Sequence, residues 1–392
     1  MKIATLEKIT NLKNKTVFLR VDFNVEIDNG RVEEDYRIVA GLETINYLLG
    51  KGAKLIIATH LGEPKGAPDA KYSVRPVALR LKKLLKKPVK FLPETVGPKV
   101  IKAVKELKIG EIIMLENLRF NAGELTDDPK FAKELAALAD IYVNDAFAVC
   151  HRDQASVSAI KKYLPSYAGL LLEKELIALN RILKPVKPLV IIMGGAKIST
   201  KEPLISKLYN LTDKILLGGA LANNFFKYKK LEIGKSLFDE DSLVYVKKFF
   251  SGKKLASKII IPIDVVVKTK AGSAKVCQPE EVKASDTILD IGPETISLYS
   301  TYIKKAQTLV WNGPMGKFEE ASFKHGTISI ALLVASRSRG KAYGLVGGGE
   351  TVAALELTKM AEYVDWISTA GGAMLTYLGG GKMPGLSKIV TR

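Results

Sequence analysis

Short runs rich in Val, Ile and Leu alternate with stretches of helical period along nearly the whole chain, and this alternation constrains the fold more than any other feature. Strands are expected at 16–20, 54–60, 88–92, 111–116 and 141–145, and after a break at 188–194, 214–219, 258–267, 308–313, 342–347 and 366–369. Between them, 38–49, 76–85, 129–139, 204–211, 323–338 and 351–360 repeat their apolar residues at helix spacing. Branched apolar strands separated by helices form parallel sheets covered on both faces, so the fold class is α/β. The two series part near 170–186, where Leu171-Leu172-Glu173-Lys174-Glu175-Leu176 holds a helical period until Lys184-Pro185-Val186-Lys187-Pro188 stops it. A chain of 392 residues exceeds what one core usually fills. The expectation is a first domain over 1–169, a connecting helix over 170–186 and a second domain from 187 to 370.

Composition narrows the function classes. No apolar run approaches the roughly 18 residues of a membrane span. The start, Met1-Lys2-Ile3-Ala4-Thr5-Leu6, has no apolar signal region, which points to the cytoplasm. Cys150 and Cys277 stand alone without metal-ligand spacing, as in a reducing compartment. The formal charge of +19 comes mostly from Lys spread along stretches such as 79–90 and 247–258. No basic stripe interleaved with aromatics occurs, so solvated helix faces account for the charge, with neither nucleic acid nor membrane as partner.

Polar residues that bind anions recur just after the strand ends of the first half. Arg20-Val21-Asp22-Phe23-Asn24 closes one strand, Thr59-His60-Leu61-Gly62 the next, and Glu116-Asn117-Leu118-Arg119 another. Arg37 opens a helix, and Asn144-Asp145 leads into His151-Arg152. In a parallel sheet these ends share one edge, so Arg20, Arg37, His60, Arg119, His151 and Arg152 are expected to converge. Arg forks suit phosphate and carboxylate oxygens. The second half places glycines there instead: Gly194-Gly195, Gly218-Gly219, Gly292-Pro293, Gly347-Gly348-Gly349 and Gly371-Gly372. The rigid turn Trp311-Asn312-Gly313-Pro314-Met315-Gly316 follows a further strand. Bare backbone N–H groups at helix starts suit the phosphates of a nucleotide. Three decoys fail. Gly234-Lys235-Ser236 lacks the first Walker glycine, since position 229 is Lys; His151-Arg152-Asp153 lacks the kinase Asn, since position 158 is Ser; and no Gly-x-Gly-x-x-Gly follows the first strand.

Taken together, these ordered blocks resemble the phosphoglycerate kinase family over about 16–385. The resemblance implies two Rossmann-like domains separated by a cleft and joined by the helix at 170–186 acting as a hinge, with 371–392 returning to the first domain. It implies reversible, Mg²⁺-dependent phosphoryl transfer between 1,3-bisphosphoglycerate and ADP, giving 3-phosphoglycerate and ATP, by a monomer. Asp22, Phe23, Asn24, Arg37, His60, Leu61, Gly62, Glu63, Arg119 and Arg152 would hold the phosphoglycerate. Gly195, Lys197, Lys201, Gly219, Gly292, Asn312, Glu319, Gly348, Gly349, Glu350 and Thr351 would hold the nucleotide, with Glu350 beside the metal. Arg37, Lys197 and the N–H groups of Gly349, Gly371 and Gly372 would neutralise the transferring group.

Several positions depart from the pattern the resemblance sets. Glu63 stands where Arg is usual, and an anion beside bound phosphate weakens binding. Gln154 replaces His, Glu350 replaces Asp, and Trp366, Ala370 and Met374 replace His, Gly and Ser. The expectation is an active enzyme with altered kinetics. A non-catalytic binding protein on the same scaffold is the competing reading, and a nicotinamide dehydrogenase is disfavoured by the missing dinucleotide fingerprint.

Overall fold

The computed structural model describes residues 2–251, 256–368 and 370–391. Thr369, expected to end the last strand, and part of the lysine-rich stretch 247–258 lie outside them, as do the first and last residues. The chain divides into two compact units, 1–177 with 382–392, and 178–381. The boundary falls inside the helix Leu170–Leu183. The helix Gly371–Leu378 therefore belongs to the second unit, and only the residues from Lys382 onward return to the first.

The first unit is built on a six-stranded, wholly parallel sheet in the order Lys90–Phe91, Ile112–Met114, Lys54–Ala58, Thr16–Val21, Ile141–Asp145, Ser166–Ala168. Its central strand, Thr16–Val21, is buried at every position, as a strand covered on both faces must be. The register sets Arg20 between Ala58 and Asn144. The residues that follow these strands, Asp22 and His60 among them, thus leave the sheet at one edge. The chain reverses its winding between Thr16–Val21 and Ile141–Asp145, the position where open sheets bind ligands.

The second unit repeats the device in the order Ile259–Ile260, Lys214–Leu217, Leu189–Met193, Thr308–Asn312, Tyr343–Gly347, Trp366–Ser368. Its switch point lies between Leu189–Met193 and Thr308–Asn312. One expectation from sequence is corrected here. The run 258–267 is not one strand: Ile259–Ile260 joins the parallel sheet, while Val265–Lys268 pairs antiparallel with Ala274–Cys277 and Thr287–Ile291. Pro262 lies between the two pieces and has no N–H for a ladder. Among the described residues, Lys161 and Lys201 are the buried lysines, so the excess charge lies on wetted faces.

The end of the chain is fastened to the first unit. Lys2–Ile3 pairs antiparallel with Val390–Thr391. The buried Lys161 ammonium donates to the Pro384 carbonyl, to the Ser387 carbonyl at 3.0 Å and to Ser387 Oγ at 2.8 Å. Burial pushes this ammonium down to about 8. Lys161→Met removes three charge-assisted hydrogen bonds to the half-buried 384–387 turn and should cost about 1–3 kcal/mol. Denaturant unfolding gives the loss, and hydrogen exchange should quicken at 384–391 while strands of the second unit keep their protection.

Candidate active site

In the first unit, the basic groups that follow the strand ends do converge, but they divide the work. Arg20 is fully buried and spends its donors internally: Nε on Ser156 Oγ at 3.0 Å, Nη1 on the Val21 carbonyl at 2.5 Å, and Nη2 on His60 Nδ1 at 3.3 Å. It is a strut, not the anion ligand that the strand-end pattern suggests. Ser156 in turn gives its N–H and hydroxyl to Glu124, whose carboxyl is raised by burial. His60 is held well below its usual range by burial first, then by Arg20, Arg119, Arg152 and Arg37. A neutral ring that accepts from Arg20 at Nδ1 carries its proton on Nε2, as a donor. The 3.9 Å approach of His60 to Asp22 is therefore not an ion pair. Asp22 pairs with Arg37 instead, which also donates to Tyr36 Oη at 3.0 Å.

The loops behind these groups are tightly fixed. Phe23 N–H donates to Thr59 Oγ1 at 2.9 Å and Gly62 N–H to Asn24 Oδ1 at 2.8 Å. The Leu61 carbonyl accepts from Asn117 Nδ2 at 2.7 Å. Gly62 has φ +59, and a Cβ there would meet the Tyr72 ring at 2.3 Å, so only glycine fits. Its carbonyl accepts from Arg119 Nη1 at 2.7 Å. Arg119 is pushed down to about 10 by burial, with Arg152 and Arg20 adding repulsion, and stays charged at neutral pH. Among the described residues its Nε and Nη2 are buried without a partner, as is Asp22 Oδ1. Arg152 is part-exposed. His151 is lowered by burial and then by repulsion from Arg152, and it hydrogen-bonds the Ala148 backbone. Glu124 and Ser156, which hold Arg20, carried no signal in the sequence, since Arg20 and Ser156 are 136 residues apart.

In the second unit the site is made of main chain. Gly194 N–H donates to the Asn312 carbonyl at 3.1 Å and Gly195 N–H to the Pro314 carbonyl at 2.9 Å, across the switch point. A Cβ at Gly194 would stand 1.8 Å from the Pro314 oxygen. Beside this contact opens a cavity of about 370 Å³ lined by Gly195, Gly219, Leu237, Asp290, Met315, Gly316, Glu319 and Glu350, among others. Asn312 Nδ2 donates to the Gly347 carbonyl at 2.6 Å and Gly313 N–H to Thr351 Oγ1 at 2.7 Å, so both side chains tie the turn to the next strand end. A Cβ on Gly371 would lie 2.7 Å from Gly348 Cα, which brings the starts of the helices Gly349–Leu357 and Gly371–Leu378 together. Gly349 and Gly372 have open space where a side chain would stand. Lys201 Nζ is 3.4 Å from the Gly195 Cβ position, and the ammonium is lowered by burial with Glu350 opposing. Lys197 is exposed. Gly292 is placed differently: it precedes the helix Pro293–Lys305 and packs on the Asp264 carboxylate, outside the cavity lining.

A phosphoglycerate kinase family model matches residues 6–381. The chain belongs to the phosphoglycerate kinase family. It is 44% identical to the phosphoglycerate kinase of Fervidobacterium nodosum over 99% of both chains, and 43% identical to that of Wolbachia pipientis wMel over 100% of both. Among solved structures it resembles phosphoglycerate kinase from Coxiella burnetii (TM-score 0.87, 37% identity, 99% of both chains) and from Pyrococcus horikoshii OT3 (TM-score 0.84, 33%, 98% of both). Two of the positions expected to depart from the family pattern lie at this end of the unit. Glu350 lies in the first turn of its helix and lines the cavity, and Met374 packs its sulfur against Gly347.

Asp290, on the cavity wall, accepts from Gly326 N–H at 2.7 Å and from Ile291 N–H at 2.9 Å, yet burial pushes its carboxyl up to about 7. The folded value exceeds the unfolded 3.8, so the native state holds the proton longer. The stability this group contributes is full below the unfolded value and falls as pH rises towards 7. Asp290→Asn should flatten that part of a urea-unfolding profile taken between pH 4 and 8. An unaltered slope would show the carboxylate ionised throughout.

Proposed function

We propose that this chain catalyses reversible phosphoryl transfer between 1,3-bisphosphoglycerate and ADP, yielding 3-phosphoglycerate and ATP. The observation that carries the reading is Arg119, a buried cation with two unpartnered nitrogens among the described residues, beside the neutral donor His60. Unmet buried donors fit a ligand rich in anionic oxygens. In this reading the three-carbon acid is held by Asp22, Phe23, Asn24, Arg37, His60, Leu61, Gly62, Arg119 and Arg152. Its carboxylate is already a competent nucleophile towards a terminal phosphoryl group, so no protein base is needed. Catalysis then consists of in-line placement, water exclusion and cancellation of charge on three equatorial oxygens. Arg37, Lys197 and the helix-start N–H groups at Gly349, Gly371 and Gly372 supply that charge.

The nucleotide would occupy the 370 Å³ cavity with Glu319 towards the ribose and Lys201 towards the phosphates. Magnesium enters as the metal–nucleotide substrate. Among the described residues no cluster of three or more His, Cys, Asp or Glu is placed to hold a metal. Mg²⁺ commonly takes one or two carboxylates with phosphate oxygens and water, and Glu350 fits that donor set. Substrates held on separate units must be brought together, and the helix Leu170–Leu183, which carries the boundary between the units, is the proposed hinge. The enzyme is further proposed to be a cytoplasmic monomer, in keeping with two unpaired buried cysteines. No helix among the described residues is long and apolar enough to cross a membrane.

A coupled assay with 3-phosphoglycerate, ATP and Mg²⁺ should show ADP release, and purified protein that releases none removes the proposal. Arg119→Lys keeps the charge but loses the fork, and should raise the KM for 3-phosphoglycerate about 10–100-fold. Lys201→Ala should act on the KM for ATP instead.

A further inference from the structure

The loop after the strand Lys54–Ala58 carries Glu63 into the basic end of the first unit. Its Oε1 stands 3.9 Å from Arg119 Nη1 and 3.9 Å from Arg152 Nη1, so one carboxylate faces two guanidinium groups. Both separations exceed hydrogen-bond length. The Glu63 side chain is 80% exposed and that of Arg119 only 4%. Arg119 is fixed from behind by the Gly62 carbonyl, while its Nε and Nη2 remain unpartnered.

The other nearby carboxylates each have a partner, Asp22 through Oδ2 only. Asp22 is paired with Arg37, and Glu124 accepts twice from Ser156. The loop backbone is pinned on both sides of Glu63. Gly62 lies against Tyr72, and Gly66, at φ +81, lies against the Ala122 backbone, with no room for a side chain at either glycine. The exposed Glu63 side chain can swing while the backbone on either side stays in place. An exposed ion pair at this distance is weak and readily exchanged. A phosphate brings more charge and more acceptor oxygens to the same two forks.

We infer that Glu63 is a displaceable resident counter-ion, which balances Arg119 and Arg152 in the free protein and yields them to the phosphate of the incoming acid. Glu63 therefore sets how tightly this end of the unit holds anions, as a competitor and not as a ligand of the substrate. This rests on the reading that the acid's phosphate meets Arg119 and Arg152.

The test uses the full chain as Glu63→Gln, nearly the same shape without the charge, with Glu63→Asp as the conservative control. Calorimetric titration with inorganic sulfate reads the site without turnover. Glu63→Gln should bind sulfate about two- to fivefold more tightly at low salt. The gain should shrink as KCl is raised to about 0.5 M. The KM for 3-phosphoglycerate should fall by a similar factor while the KM for ATP stays in place, and Glu63→Asp should restore native values. Sulfate bound no more tightly by Glu63→Gln, or both KM values moving together, overturns the inference. Normal turnover with unchanged sulfate affinity defeats the role of Glu63 alone. Tighter sulfate binding without any turnover upholds Glu63 and defeats the proposed reaction.

Discussion

The Arg20 guanidinium, enclosed by Ser156, the Val21 carbonyl and His60, is the interaction from which the basic end of the first unit is built. A buried cation is tolerable only when its donors are met and a counter-charge is near. Glu124 supplies that charge through Ser156, itself buried and doubly bonded. Arg20 then sets its neighbour's tautomer. Burial is the main reason that the His60 ring is neutral; Arg20 adds positive potential and, by donating to Nδ1, fixes the proton on Nε2. A charged imidazole would offer the same proton to an anion, but at the cost of a further unpaired charge beside Arg119. The neutral ring gives a directional donor without that penalty.

The second unit meets the same demand by removing side chains. Gly194, Gly195 and Gly313 bring two strand ends to backbone contact, and Gly348 and Gly371 do so for two helix starts. The amide dipoles at those two helix starts do not depend on pH and need no counter-ion. Asn312 and Thr351 are spent on holding these turns together. In the proposed reading a small acid would meet a few directional charged groups, and a polyphosphate the main-chain donors of the helix starts.

Much of this was legible from pattern. The strand Ile141–Asp145 and the central strands of both sheets follow the apolar runs closely, because strands buried on both faces leave little choice of residue. The strand-end location of Asp22, His60 and Arg119 follows from parallel pairing alone. What pattern could not show is partnership over distance. Arg20 reads as one more surface-facing cation until Ser156 is folded against it. Gly292 reads as part of a glycine-lined site until Asp264 is found behind it. The charge reversal at Glu63 is visible in the sequence, yet not that one carboxylate reaches two guanidinium groups. The helices Gly219–Tyr228 and Pro293–Lys305 were also missed, since each begins beside a glycine that looked like loop.

The chain's choice of cation follows the same physics. Its surface charge is carried mainly by Lys, but the strand-end cations of the acid site are Arg20, Arg37, Arg119 and Arg152. Burial drives an ammonium towards neutrality: Lys161, with three oxygen partners, is still pushed down to about 8, and Lys201 is lowered despite Glu350 nearby. Arg119, crowded by two other guanidinium groups, falls only to about 10. A lysine in its place would start about two units lower and, under the same pressure, would hold its proton with far less margin. A pocket that must hold positive charge together before its ligand arrives therefore needs the side chain whose proton is hardest to remove. Lysine serves where solvent keeps it charged, or where a carboxylate such as Glu350 stands near enough to help.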